Sequence, residues 1–334
     1  MEWDKGYKAS YYISIVDRAT MRDIDRIEIE SGSIKRTLSD LRESADISLK
    51  KTVFNQEQLI RVWLDARQDS SLSHTPLFTG IAICPKNKFT GRLLSNNLEC
   101  YSVLKYAEDV LLPLGWYAPV EANGAALARD LLSIIGVPIE VADNSPVLKQ
   151  SIVAEQNENH LSMADKILDA MNWALQINGM GSLYLGPIDH EEKAKFDANE
   201  FDIIENEIEI EYDWYSAPNV LRCTLDDSYS EARDDDPNSP LSTVSRGREV
   251  WFAETDVQLN TGETLAEYTQ RRLKELQRAA TTVNYNRRFF PGVNPGNVVR
   301  IGYPAQGVNG LYLVTNQTLN LGYNCRTSEE VYKL

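Results

Sequence analysis

The chain has 334 residues, of which 43% are apolar and 25% charged, and its formal net charge is −15. At roughly 100–200 residues per domain, this length predicts two or three domains. The excess of acid argues against a general nucleic-acid-binding protein, because such proteins neutralise phosphates with Lys and Arg. The four cysteines lie far apart and only three histidines accompany them, so no metal site is predicted and reduced thiols are expected.

The sequence predicts neither a secretory signal nor a membrane anchor. The first residues carry no basic region followed by an apolar one. The longest uncharged apolar run, 110–120, contains two prolines and is too short to span a bilayer. Acidic residues are concentrated in 189–236, which holds 17 acidic and 4 basic residues, whereas 246–300 holds 9 basic and 6 acidic ones.

Residues 1–101 are predicted to form a first β domain. Apolar and polar residues alternate in 11–15 and again in 45–49, which is typical of strands with one buried face. The segment 59–64 is apolar enough to be a strand buried on both faces. Several strands at this spacing, with almost no helical pattern between them, predict a barrel or a sandwich.

Residues 102–204 are predicted to form a small α/β insert domain, because the apolar period changes there from two to three or four. The predicted helices are, in chain order, 103–111 before Pro113, a helix capped by Asn123 and ended at Gly136, and a helix opened by Ser162 and closed at Gly179. A short strand is expected to follow at 182–186.

Residues 205–334 are predicted to be a second β domain. The alternation returns at Ile208, Ile210 and Tyr212, and residues 226–245 are expected to be a long, exposed acidic loop. Thr264 followed by Glu267 is a capping-box pattern that opens an amphipathic helix at 264–280. The fold class is therefore mainly β, with two barrels separated by the helical α/β insert.

No catalytic, cofactor-binding or metal-binding residue is predicted. Adjacent acids such as Asp226 and Asp227 are more often solvated surface than a glycosidase pair, which must be held across a cleft. The scattered tryptophans, Trp214 and Trp251 among them, are interpreted as core or interface packing rather than as a sugar platform. A basic cluster is either a solvated helix face paired with Glu or a subunit contact surface. Its members are Arg271, Arg272, Arg278, Arg287 and Arg288.

In its order of motifs the chain resembles the baseplate hub, or tail-tip hub, family of tailed bacteriophages and related contractile injection particles. The resemblance runs over nearly the whole chain and rests on several segments taken together. These are 3–12, 16–23 and 32–47 in the first β domain, 163–184 in the insert, and 211–222 and 287–299 in the second β domain.

The resemblance implies a structural virion protein and no enzyme. It implies a homotrimer in which each chain supplies two barrels akin to the tail-tube subunit, so that three chains adapt a six-fold tube to a three-fold spike. The implied partners are the tail tube or distal tail protein ring, a central spike or tail fibre, and the tape-measure protein. The implied location is the distal end of the phage tail, after assembly in the host cytoplasm, with DNA passing through transiently and without specific binding.

The acidic middle of the chain suggests which residues line such a channel. The candidate lumen residues are Glu207, Glu209, Glu211, Asp213, Asp226 and Asp227. Family members often carry a fused wall hydrolase, and none is expected here because the sequence ends after the second β domain. Two alternatives stay open: a cell-wall-degrading tail enzyme and a six-fold distal tail protein.

Overall fold

A computed structural model describes residues 1–3, 5–50, 54–90, 93–197, 203–257, 259–260 and 262–334. With 47% strand and 17% helix, the chain is mainly β, which confirms the predicted fold class. Among the described residues, no helix is long and apolar enough to cross a membrane.

The first β unit contains six strands that close on themselves. They are β1 (Lys8–Val16), β2 (Asp23–Arg36), β3 (Glu43–Lys50), β4 (Gln58–Gln68), β5 (Ser71–Thr90) and β6 (Leu93–Ser102). Their order is β1-β4-β5-β6-β3-β2, and β1 pairs with β2 to complete the ring. Alternate residues such as Ile13, Ile34 and Ile47 fill the interior and are excluded from water.

The insert is a helical lobe with short strands. Its elements are α1 (Lys105–Glu108), β7 (Tyr117–Ala118), α2 (Gly124–Leu132), β8 (Ile139–Val141), β9 (Ile152–Val153), α3 (His160–Asp169), β10 (Trp173–Ile177) and β11 (Leu183–Pro187). The predicted cap of α2 is confirmed, since the Asn123 side chain accepts a hydrogen bond from the backbone N–H of Ala126.

Two of the predicted helices differ from the structure. The first is a single turn rather than a helix along 103–111. The third begins earlier, because Asn159 rather than Ser162 caps it, and it ends at Asp169 instead of reaching Gly179. Asn172 has φ 57°, a left-handed conformation that breaks the helix, and Trp173–Ile177 then pairs with β11 as a strand.

The second half of the chain holds a second β unit and a small lobe. Its elements are β12 (Glu192–Asp197), β13 (Ile203–Tyr212), β14 (Val220–Leu225), β15 (Ser228–Arg233), α4 (Thr243–Arg246), β16 (Trp251–Glu254), α5 (Leu265–Ala279), β17 (Thr281–Arg287), β18 (Val298–Tyr303), β19 (Val308–Asn320) and β20 (Thr327–Lys333). The second β unit has the order β13-β17-β20-β19-β18-β12. Since β12 pairs with β18, the second β unit begins before residue 205, where the sequence placed its start.

The small lobe is a three-stranded sheet, β15-β14-β16, with α5 packed on one face. The predicted helix and its capping box are confirmed, because Thr264 and Glu267 exchange both hydrogen bonds. The expectation of a long, exposed acidic loop is wrong for part of 226–245. Residues 228–233 pair with β14, and Leu241 and Thr243 are buried. The acids there accept local hydrogen bonds, as Asp234 does from the Ser239 hydroxyl at 2.6 Å.

The two β units are joined into one sheet. The end of β2 pairs with β19, with Lys35 opposite Thr318 and Ser33 opposite Asn320. Strands from both units therefore run side by side in the order β5-β6-β3-β2-β19-β20-β17-β13. This continuous eight-strand arrangement gives the two units a common inner and a common outer face.

Candidate functional site

The outer face of the joined sheet is polar along both β units, and we call it the polar face. Its half-buried or exposed side chains come from alternate positions of β13, β17, β20, β19, β2, β3 and β6. They are Glu207, Glu209, Glu211, Asn284, Asn286, Ser328, Glu330, Asn316, Thr318, Asn320, Ser33, Lys35, Ser44, Asp46, Ser48, Asn97 and Glu99.

Strand register brings these side chains into rows across the sheet. Glu209 lies opposite Asn284, Asn284 opposite Glu330, and Glu330 opposite Asn316. The Asn316 amide donates to Glu330 Oε1 at 2.9 Å. In the first β unit, Asp46 lies opposite both Ser33 and Glu99. The face thus presents short amides, hydroxyls and carboxylates that are supported by their neighbours.

The inner side of the same strands carries a row of buried polar groups, and we call it the buried row. It contains one residue from each of β3, β2, β19, β20 and β17: Glu43, Arg36, Gln317, Glu329 and Arg287. Arg36 lies opposite Glu43 and opposite Gln317, and Gln317 lies opposite Glu329. The row therefore crosses the boundary between the two β units.

Arg287 and Glu329 form the most deeply buried part of this row, with both side chains 0% exposed. Arg287 Nε donates to Glu329 Oε2 at 2.7 Å, and the Tyr285 hydroxyl donates to the same oxygen at 2.6 Å. Gln317 Nε2 donates to Glu329 Oε1 at 2.7 Å. Both carboxylate oxygens are thus satisfied, which a buried charge requires.

The first-unit end of the row is less well satisfied. Arg36 Nε lies 2.9 Å from Glu43 Oε1, whereas the buried Glu43 Oε2 has no hydrogen-bond partner. Burial raises the pKa of Glu43 to about 7, against the opposing effect of Arg36. Gln317 Oε1 accepts from Arg36 Nη1 at 3.0 Å and so connects this pair to the second β unit.

The predicted lumen acids lie in three different places. Glu207, Glu209 and Glu211 project from the polar face, in the alternation that their spacing predicted. Asp213 follows β13 and accepts from the backbone N–H groups of Tyr215 and Ser216, each at 3.1 Å. Asp226 and Asp227 form the turn between β14 and β15 in the small lobe, which is a different sheet.

Hydrogen bonding to Ser216, first through its hydroxyl and then through its backbone N–H, holds the pKa of Asp213 below its usual value. Asp213 is therefore a turn-capping residue, and the polar face retains only the three glutamates of the predicted set.

The predicted basic cluster is also divided. Arg271 pairs with Glu263 and Glu275, both at 2.7 Å, and Arg272 pairs with Glu254 at 2.9 Å. Arg278 is exposed near the end of α5, and Arg288 is half-buried beside the second β unit. The inclusion of Arg287 in a contact surface is wrong, because this residue is enclosed with Glu329 inside the chain. For the other four, the subunit-contact role stays a prediction.

Sequence reasoning missed the buried row altogether. Its members are far apart in the sequence, with 42 positions between Arg287 and Glu329 and 281 between Arg36 and Gln317, and singly the charged ones look like ordinary surface charges. The available signal was their position in strands, where alternation assigns them to the apolar side. Within the described part of the chain, no group of three His, Cys, Asp or Glu is placed to hold a metal ion. Cys100, Cys223 and Cys325 are free and buried.

The fold is similar to those of solved tail proteins over almost the full length of both chains. A tail protein from Neisseria meningitidis MC58 is 15% identical, with 97% of each chain covered and a TM-score of 0.71. The 43 kDa tail protein of prophage MuSo2 from Shewanella oneidensis is 11% identical, with 98% of this chain and 97% of that chain covered and a TM-score of 0.73.

A third similar structure is the prophage tail protein gp18 from Listeria monocytogenes EGD-e, 13% identical, with 97% of this chain and 94% of that chain covered and a TM-score of 0.58. No protein-family model and no curated protein matches the sequence. At these identities the likeness establishes the fold, and at that level it confirms the resemblance to tail proteins.

Proposed function

We propose that the chain is a structural subunit of a phage tail tip, three copies of which form a hub ring around a channel lined by the polar face. The observation that carries this proposal is the single sheet of eight neighbouring strands, drawn from both β units, with polar side chains along its outer face. A sheet of this kind has a dry inner face for its core and a wet outer face for a channel. The likeness to tail proteins supports the same role.

Both ends of the polar sheet present strand edges that suit assembly. Within the described residues, β13 pairs with β17 on one edge and has no strand on the other. In the described part of β5, residues 84–90 pair with β6, while β4 pairs only as far as Ala82. Open edges are templates for pairing with another chain. Head-to-tail contact between two different edges closes into a ring when the rotation permits it.

Two β units per chain make three copies equivalent to six units around the axis. Such a ring matches a six-fold tail tube or distal tail protein ring on one side and a three-fold spike or fibre on the other. We propose that it does so at the distal end of the tail, as a part of the virion, and with no catalytic role. The purified chain is accordingly expected to leave peptidoglycan intact.

The charge of the polar face fits a channel for DNA. Glu207, Glu209 and Glu211 lie at one end of the face, and further carboxylates recur at Glu330 and Asp46. A surface of this sign repels phosphates, so DNA slides past without binding. Lys35, the basic residue among those named for the polar face, offsets part of this negative charge.

The number of copies tests the hub proposal. Native mass spectrometry of the full chain is expected to give three times the 37.8 kDa chain mass, with a hollow ring in electron micrographs. Six copies would favour a distal tail protein instead, and a monomer at every concentration would contradict both kinds of ring.

Charge reversal tests the lining of the channel. Particles carrying Glu207→Lys with Glu209→Lys are expected to eject DNA more slowly, because the channel wall then attracts phosphates. Asp226→Lys with Asp227→Lys is the matched control, since it changes the net charge equally on the small lobe. Equal ejection rates in the two double variants would show that the polar face does not line the channel.

A further inference from the structure

The two end strands of the polar sheet carry opposite charges. At one end, β13 exposes Glu207, Glu209 and Glu211, and we call this strand the acidic edge. At the other end, β5 exposes Lys86 and Lys88, and we call this strand the basic edge. Both strands have an open side in the described residues, so both sets of charges lie where another strand can approach.

Both sets of side chains belong to the polar face. Lys86 lies directly opposite Asn97 of β6, and Lys88 lies opposite Ser95. Directly opposite residues of an antiparallel pair project to the same side of the sheet. Asn97 is part of the polar face, as Glu209 is at the far end of the sheet. The polar face therefore extends from a negative edge to a positive edge.

These charges have few partners inside the chain. Among the residues that the structure describes, no ion pair involves the three glutamates or Lys88. Lys86 Nζ reaches Glu99 Oε2 only at 4.0 Å, and its side chain is 76% exposed. Glutamates two positions apart on one strand are spaced by about 7 Å, so they repel one another. A counter-charge from outside the chain relieves this repulsion.

The directions of the end strands suit a junction between two copies. Each neighbouring pair in the eight-strand polar sheet is antiparallel. Because the number of strands is even, β13 and β5 run in opposite directions at the two ends. When a second copy is related by rotation about an axis along the strands, its β5 lies antiparallel to β13 of the first copy. The alternation then continues without a break.

The signs of the charges favour one kind of contact between copies. Pairing of β13 with a second β13 sets glutamates against glutamates, and pairing of β5 with a second β5 sets lysines against lysines. Like charges directly opposite each other destabilise a strand pair, whereas opposite charges stabilise it. The charges therefore favour the head-to-tail contact of a ring over the two-fold contact of a dimer.

We propose that a second copy of this chain occupies each edge, so that Glu207, Glu209 and Glu211 of one copy pair with Lys86 and Lys88 of the next. This inference rests on the proposed hub ring and names the contact that closes it. Main-chain hydrogen bonds join the two edges, and the ion pairs on the polar face fix their register. A slip of one residue would move the two sets of charges to opposite faces of the sheet.

Zero-length cross-linking of the unmodified full chain is the first test. A carbodiimide joins a lysine amine to a carboxylate only where the two groups touch. Within one chain, seven strand spacings separate the two edges, on the order of 30 Å along the sheet. A cross-link between the basic edge and the acidic edge therefore comes from two copies, and we expect it in the associated species. Its absence from an associated ring would overturn this contact and leave the hub ring standing.

Charge reversal at the basic edge is the second test. Lys86→Glu with Lys88→Glu is expected to raise the concentration needed for association about tenfold at low salt, because two attractive pairs per junction become repulsive. Further reversal of the three glutamates of the acidic edge to lysine, in the same chain, is expected to restore association. The difference between the unmodified chain and the double variant should shrink as salt is added, because salt screens exposed charges. Sedimentation velocity measures each of these effects.

The control is Lys149→Glu with Lys274→Glu, which makes the same change in net charge at exposed positions of the insert and of α5. Its association is expected to match that of the unmodified chain, and all variants are expected to keep the same melting temperature. An equal loss of association in the control would overturn the proposal, as would a failure of the acidic-edge reversal to restore it. An unmodified chain that stays monomeric at every concentration would contradict the hub ring itself, and this contact with it.

Discussion

The two β units each use six strands, but they complete their sheets in different ways. In the first unit, β1 pairs with β2 and the strands form a closed ring. In the second unit, no pairing between β12 and β13 occurs among the described residues, and the two end strands pair only with β18 and β17. The first unit is therefore closed by its own strands, although Leu319 and Leu321 from the second half of the chain pack into its core, whereas the second unit stays open within the described residues.

The two β units also differ in the side chains that fill their cores. The first unit is filled mainly by aliphatic side chains such as Ile13, Ile60 and Leu64. The second unit has a smaller and more aromatic core, with Phe196, Tyr285 and Tyr312, and it encloses the charged pair of Arg287 and Glu329. A buried pair contributes little net stability but penalises every arrangement that separates its members. The second unit thus gains register and position from the buried row more than it gains stability.

Removal of one member of the buried pair is expected to have the largest effect. Arg287→Met leaves the Glu329 carboxylate buried without its counter-charge, and we expect a loss of about 3–5 kcal/mol in the free energy of unfolding. Urea denaturation monitored by near-ultraviolet circular dichroism measures this loss. The transition of the second unit should move to lower urea while that of the first unit moves less.

The double variant Arg287→Met with Glu329→Leu is the control for this experiment. It removes both charges and is expected to regain part of the lost stability, because the desolvation cost disappears together with the attraction, while the Tyr285 hydroxyl and the Gln317 amide lose their acceptor. A double variant as unstable as the single one would show that the pair stabilises the fold directly.

The first-unit end of the buried row is expected to make stability depend on pH. The pKa of Glu43 is raised to about 7 by burial, so the folded chain holds a proton that the unfolded chain releases near pH 4.5. This contribution is fully present below about pH 4.5 and is lost as the pH rises towards 7, by about 3 kcal/mol in total. Glu43→Gln should flatten that decline when unfolding free energies are compared between pH 4.5 and 8.

Asp169→Asn is a partial control, since burial and the neighbouring Asp165 raise the pKa of Asp169 to about 6. Its substitution should remove a smaller part of the same decline. A pH profile that Glu43→Gln leaves unaltered would mean that Arg36 keeps Glu43 ionised in the folded chain.

Local patterns in the sequence predicted much of the fold. The Asn123 cap and the Thr264–Glu267 capping box were readable because all their partners lie within four residues. The end of α3 could not be predicted in this way, because the apolar residues in 173–177 fit a helix or a strand equally well. Pairing with β11 decides that they form a strand. Local acids likewise predicted a loop at 226–245, where pairing with β14 orders the chain.

The candidate site could be predicted only where strand alternation determines it. The alternation of side chains along a strand predicts that Glu207, Glu209 and Glu211 lie on one face. It places Ile208 and Ile210 on the other face. Arg287 looked like its neighbour Arg288, although one is enclosed and the other is not. Their difference depends on Glu329, which reaches Arg287 only through the pairing of β17 with β20. Contacts between residues this far apart in the sequence cannot be recognised from any short segment of it.

Disruption of the contact between the insert and the first unit is expected to have a smaller effect on stability. Gly179 lies in the turn between β10 and β11, and a Cβ added there would come within 2.1 Å of the Pro76 carbonyl oxygen. The Thr79 hydroxyl donates to the Gly179 carbonyl at 2.8 Å, so the turn is docked closely. Gly179→Ala is expected to cost about 1–3 kcal/mol by forcing the insert away. Gly6→Ala, which has open space around it, should be neutral in the same thermal unfolding assay.

Loss of the α5 cap is expected to have the smallest effect and to leave both β units intact. The Thr264 side chain accepts from the backbone N–H of Glu267, and Glu267 Oε2 accepts from that of Thr264 at 2.9 Å. Thr264→Ala removes one of these bonds and should cost about 1 kcal/mol, whereas Thr264→Ser should cost less because it keeps the acceptor. Hydrogen exchange localises the change: amides at the start of α5 should exchange faster, while those of β17 and β20 stay protected. Faster exchange in β17 as well would show that the small lobe supports the second unit.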